Sequence, residues 1–124
     1  MNKRILSIGA VLGATAVVMG AFGAHALKGI LTVDQLRAYH TGVAYQFYHV
    51  FAIMLCGLMP GNEHAVLLNR AAYLFLAGIV LFSGSLYCLT IFPSLQFLGI
   101  VTPLGGISFV AGWLFLAASF LKKR

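Results

Sequence analysis

Tyr45, Gln46 and His49 stand at i, i+1 and i+4, a spacing that on a helix stacks Tyr45 and His49 one turn apart with Gln46 beside them. An imidazole so placed can take up a proton, exchange hydrogen bonds or ligate a metal. These three residues lie inside an apolar run, where such a group costs free energy unless it is bonded or reaches water. His49 is therefore the leading candidate for chemistry, and helix-to-helix hydrogen bonding is the structural role that competes with it. Metal or haem ligation would need a second ligand at the same depth, and His25 could supply it only if the loop after it folds back. The only acids are Asp34 and Glu63, both outside the apolar runs, so no Ser-His-Asp set is visible. Cys56 and Cys88 have no second pair, which excludes a disulfide framework and a CxxC zinc site, and both are expected to be buried, inert thiols. No cofactor and no metal are expected, and His40 and His64, in polar segments, are given no role.

The solvent that surrounds these groups can be read from composition. Hydrophobic residues make up 61% of the 124 and charged ones only 8%, with a mean hydropathy of +0.99, which is not the balance of a water-soluble globule. A span of about 20 apolar residues crosses a hydrocarbon layer about 30 Å thick, so the chain has room for four spans and little else. The net charge of +6 forms no phosphate-binding patch: Lys3 and Arg4 open the chain and Lys122, Lys123 and Arg124 close it. That is a topology signal, and no nucleic-acid partner is expected.

The expected fold is all-α, an integral membrane protein of four transmembrane helices in a compact bundle, one domain over residues 1–124 with spans near 5–24, 43–59, 71–92 and 103–121. Gly9 and Gly13 form a GxxxG, and Ala16, Gly20 and Ala24 continue the stripe with Gly23 beside it, a pattern that lets two helix backbones approach closely. Thr32 with Gln35 is a capping box, so a helical extension in the interface should run from Val33 into the second span, with Asp34 and Arg37 paired weakly on its wet part. Pro60 and Gly61 end that span, Asn62 and Glu63 look like the next helix start, and Arg70 marks the inner edge of the third span. Thr102 and Pro103 read as the N-cap and first position of the fourth span, after an interfacial stretch at 94–101; a kink at Pro103 inside a longer helix is the alternative.

Ala24-His25-Ala26 has the small-x-small form of a signal-peptidase site. Four spans with both termini inside instead place Lys3, Arg4, Arg70, Lys122, Lys123 and Arg124 on the inner side and leave only Lys28 and Arg37 outside. The N-in, C-in reading therefore predicts a retained first helix.

Depths counted at about 1.5 Å per residue from the expected edges place Tyr45, Gln46 and His49 in the outer half with Ser83, Ser85 and Tyr87, while Thr102 and His25 stand at its rim. The inner half is expected to be aliphatic, with Trp113 as its one large polar-tipped ring. Cys56 and Cys88 should lie roughly 15 Å apart along the normal, too far to bridge.

"GAFGAHAL" at 20–27, "TGVAYQFYHVFA" at 41–52, "LFSGSLY" at 81–87, "TPLGG" at 102–106 and "AGW" at 111–113 fall in one order and spacing. In these the chain resembles the bacterial inner-membrane family known as domain of unknown function 423, itself similar to the eukaryotic transmembrane protein 256 family. The resemblance implies four helices, a retained first helix and a bacterial cytoplasmic (inner) membrane location, and the charge tally puts the termini in the cytoplasm. It supplies no activity. It singles out His25, Tyr45, Gln46, His49, Ser83, Gly84, Tyr87, Thr102, Pro103 and Gly105. Separately from the resemblance, Gly84, Gly105 and Gly106 are expected to be helix-packing positions.

Together these residues point to a non-enzymatic assembly, accessory or interaction component, with the bilayer and a homo-oligomer or larger membrane complex as its partners. The alternative is a protein that binds or transports a small solute, a proton or a lipid head group in the polar layer around His49. A redox or quinone-linked subunit using His25 and His49 is the weaker alternative.

Overall fold

The computed structural model describes residues 1–61 and 63–121, so the expected roles of Asn62, Lys122, Lys123 and Arg124 lie outside the described residues. The elements are α1 (Lys3–His25), α2 (Val33–Leu58), α3 (Ala65–Gly78), a π-helical turn (Ile79–Ser83), α4 (Gly84–Ile91) and α5 (Leu98–Leu121). Because α3, the π turn and α4 are continuous, four helical rods are long and apolar enough to cross a membrane, and no strand occurs among the described residues. Val11, Val18, Phe51, Val80, Ile107 and Leu114 are among the large apolar side chains left on the outside, as a lipid solvent permits.

Local chemistry explains most helix ends. The Asn2 side chain caps α1 by accepting from the backbone N–H groups of Arg4 and Ile5. Thr32 and Gln35 form both halves of a capping box at the start of α2. Asp34 and Arg37 pair at 3.7 Å, but their side chains are 92% and 75% exposed, so the contact contributes little. The third rod corrects two expectations. Glu63 sits in a turn and the helix begins at Ala65, after His64, with no side-chain cap. The rod is also not uniformly α-helical: the Gly84 N–H bonds the Ile79 carbonyl, five residues back.

The start of the fourth rod is corrected as well. Turn bonds from Leu98, Gly99 and Ile100 to Leu95, Gln96 and Phe97 begin the helix at Leu98, ahead of the proline. Pro103 is therefore inside α5, and Thr102 is no N-cap; its hydroxyl bonds back to the Leu98 carbonyl at 3.3 Å. The longer helix with Pro103 inside it is the form adopted, at the loss of one backbone donor.

Glycines set how closely the rods approach. A Cβ at Gly9 would meet Met54 and Ile53, one at Gly13 Val50, one at Gly20 Val43 and one at Gly23 the Tyr39 ring. The pairing numbers run in opposite directions, so α1 packs antiparallel on α2 and the small-residue stripe is satisfied within the chain. Gly78 meets Phe109, Gly112 meets Phe75, and Gly105 meets the backbone of Phe82 in the π turn. Gly84 and Gly106, expected to be packing positions, differ: the first has only the Ile79 carbonyl oxygen at 3.9 Å, and the second nothing within 4 Å. Cys56 is buried in the core with Ile53, Leu68 and Phe75, whereas Cys88 faces outward, contrary to the expectation of two buried thiols.

Candidate functional site

α2 is the spine of the candidate site, because consecutive residues of a helix diverge by about 100° and address different neighbours. His49 turns toward α5 and α3 and is 4% exposed. Its Nδ1 lies 2.7 Å from the Tyr45 carbonyl oxygen. A carbonyl only accepts, so Nδ1 carries the proton, and Nε2 is the acceptor for the Trp113 indole N–H at 3.2 Å. Both partners are satisfied by the neutral imidazole alone. The ring stacks face to face on Phe109, with centroids 3.5 Å apart and planes within 8°. Phe75 and Trp113 close the other sides, edge-on to one another at 5.0 Å.

Gln46, one residue from Tyr45, points the other way. Its Nε2 donates to the Leu12 carbonyl and the Thr15 hydroxyl, both at 2.9 Å, and its Oε1 accepts from the Tyr87 hydroxyl at 2.7 Å. One buried amide thus ties α1, α2 and α4 together. The Tyr87 ring is seated over Gly42, where a Cβ would strike it, and stands 5.3 Å from the Tyr39 ring. The Tyr39 hydroxyl in turn donates to the Met19 carbonyl at 2.6 Å.

The single polar layer expected from depth is thus three separate clusters. The third is Ser85 and Thr102, hydroxyl to hydroxyl at 2.5 Å, which joins α4 to α5. Ser83, fully buried in the π turn, donates to the Gly42 carbonyl of α2 at 2.6 Å. His25 is outside all of them: it is exposed at the end of α1. Gly23 abuts Tyr39, and Tyr39 is about 15 Å along α2 from His49. The structure does not bring the two histidines together.

Sequence reasoning assigns Trp113 and His49 to different halves, whereas the structure bonds one to the other. The depth count takes Pro103 and Val43 as membrane edges; counted from the real helix starts, Leu98 and Val33, Trp113 and His49 are level to within one residue. Phe75, Phe82 and Phe109 escape it too, because a phenylalanine in an apolar run carries no signal of a special contact.

A groove of about 710 Å³ opens sideways beside His49, between α2 and α5. Pro103, Gly106, Ile107, Val110, Trp113 and Leu114 form its α5 wall, and Tyr45 and His49 its α2 edge. That wall is one helical face, about 16 Å long at about 1.5 Å per residue, and its lining is largely apolar. Gly106 therefore holds the groove open instead of packing a helix.

The His49–Trp113 bond yields a measurable coupling. In a double-mutant cycle with His49→Phe and Trp113→Phe, which keep aromatic rings at both positions, unfolding in mixed micelles should show about 0.6 kcal/mol of interaction, the average that such cycles give for hydrogen bonds between membrane helices. Strict additivity would remove the bond from the energetics of the fold.

Four helices long and apolar enough to span a membrane, an interior of stacked aromatic rings and an apolar groove along α5 define a class: a small all-α membrane protein. Within it, the chain belongs to the family described as Protein of unknown function (DUF423), which it matches over residues 19–106. It is similar to UPF0382 membrane protein YwdK of Bacillus subtilis (strain 168), 37% identical over 121 residues that cover 97% of this chain and 98% of that protein. It is 39% identical to UPF0382 membrane protein SERP0230 of Staphylococcus epidermidis over 120 residues, 97% of each chain. It is 36% identical to UPF0382 inner membrane protein YgdD of Escherichia coli (strain K12) over 124 residues, 99% of this chain and 94% of that one. No solved structure matches the chain significantly.

Proposed function

We propose that this protein is a non-enzymatic assembly or accessory component of a bacterial cytoplasmic membrane, N-in and C-in, that receives a transmembrane helix of another subunit in the α2–α5 groove. The observation that carries this reading is the groove itself: the glycines of α1 and α2 abut a neighbouring rod, whereas Gly106 in the groove wall has no neighbour within 4 Å. Association inside a bilayer is driven by close packing over small residues, and an open glycine between apolar walls offers it. The non-enzymatic part is supported by the site. Both nitrogens of His49 are engaged. A solute, proton or head-group role for His49 would first require one of those nitrogens to be released.

In mild-detergent extracts of native membranes, the protein should run as a discrete oligomer or complex, with a differently tagged second copy distinguishing a homo-oligomer from another partner. Gly106→Leu, whose Cβ meets nothing within 4 Å, extends into the groove and should shift the species to monomer. A monomer with no recoverable partner in the wild type would sink the proposal.

A further inference from the structure

At the end of the bundle where α1 begins, a second cavity of about 570 Å³ lies between α3 and α5, lined by Val66, Asn69, Arg70, Tyr73, Leu74 and Phe115. The rod that carries Arg70 is Ala65–Ile91, 27 residues. At about 1.5 Å per residue it is some 40 Å long and exceeds a hydrocarbon core of about 30 Å. With its far end at the opposite boundary, Arg70 stands at head-group level, while Leu74 and Phe115 continue the cavity below it into the acyl region.

The lip of the cavity offers donors. The Arg70 guanidinium carbon is 5.9 Å from the centroid of the Phe115 ring, a distance at which the ring face orients the cation. Arg70 makes no ion pair among the described residues, whose one salt bridge is Asp34–Arg37. Asn69 is set by a chain of constraints. The Asn2 Oδ1 is committed to capping α1, so the Asn2 amide must present its NH₂ to Asn69, and it bonds the Asn69 Oδ1 at 3.1 Å. What Asn69 has left to offer is its own NH₂. The same bond brings the start of α1 next to α3, but the exposed Lys3 and Arg4 do not line the cavity, which leaves Arg70 as its one cation. A guanidinium and an amide NH₂ above an apolar slot are complementary to a phosphate on a hydrocarbon chain.

We propose that the α3–α5 cavity is a site for one anionic phospholipid, with its phosphate on Arg70 and Asn69 and an acyl chain along Tyr73, Leu74 and Phe115. A guanidinium binds the phosphate through two parallel hydrogen bonds, which lysine cannot reproduce. The slot below holds the chain that a free phosphate ion lacks.

The test uses the full-length protein in nanodiscs of phosphatidylcholine containing phosphatidylglycerol, with lipids retained after gentle release counted by native mass spectrometry. The wild type should keep one phosphatidylglycerol in preference to phosphatidylcholine, and millimolar inorganic phosphate should not displace it. Arg70→Gln should lower that occupancy about fivefold, the factor for losing one basic residue at an anionic surface. Arg70→Lys should fall between. A Lys3→Gln, Arg4→Gln double variant should retain the lipid. Because Arg70 is exposed, Arg70→Gln should fold, and an unchanged helical circular dichroism spectrum checks it. Equal retention of the two lipids, an unaffected Arg70→Gln, an equal loss in the Lys3, Arg4 variant or displacement by phosphate alone would each overturn the proposal.

Discussion

Gly105→Ala should destabilise the bundle by about 3 kcal/mol, at the upper end of overpacking penalties, while Gly106→Ala, the next residue, should be neutral or slightly stabilising. A Cβ on Gly105 would sit against the backbone nitrogen and Cα of Phe82. Backbone in a packed helix cannot swing aside as a flexible side chain can, so α5 would have to move off the π turn and carry Ser85–Thr102 and Phe109 with it. Against this stands the gain of about 1 kcal/mol that alanine brings over glycine in a helix. At Gly105 the clash outweighs it; at Gly106, with open space, the propensity gain stands alone. Unfolding of both variants in mixed micelles reads the contrast directly. Equal midpoints would mean that the seam between α5 and the π turn is not closely packed.

That pair of adjacent glycines also shows where the sequence is informative. The rods are legible because length, apolarity and end signals act locally: Thr32 with Gln35 starts α2 as its chemistry requires. The π turn is not, since an inserted residue between Ile79 and Ser83 leaves the composition of the rod unchanged and only rotates the part of the rod beyond it. The same insertion decides which residue of "TPLGG" meets Phe82, so Gly105 and Gly106 are indistinguishable until the register is known. For the polar residues, spacing on α2 puts Tyr45, Gln46 and His49 within about one turn of one another. It cannot tell that Gln46 turns to α1 and α4 while His49 turns to α5. Trp113 is lost for a different reason, a membrane edge set at Pro103 when the helix begins at Leu98.

Gln46→Leu should be the most damaging substitution of a polar side chain, about 2 to 3 kcal/mol, although it is nearly isosteric and makes the interior more apolar. The wild-type amide is fully used: two donor bonds go to α1 and one acceptor bond comes from Tyr87, with the residue 3% exposed. A hydrogen bond between membrane helices is worth only about 0.6 kcal/mol on average, so three account for roughly 2. The remainder comes from the groups left behind. The Tyr87 hydroxyl would be left without its acceptor in a partly buried site, at about 1 kcal/mol or more. Tyr87→Phe alone should therefore cost only about 1 kcal/mol, because its ring still covers Gly42 and Gln46 keeps both bonds to α1. In the double variant, Tyr87→Phe should relieve part of the Gln46→Leu loss by removing the stranded hydroxyl, giving less than the sum of the two. A fully additive pair would mean that the hydroxyl finds another acceptor once Gln46 is gone. A neutral Gln46→Leu would mean that α1 is held by its glycine seam on α2 alone.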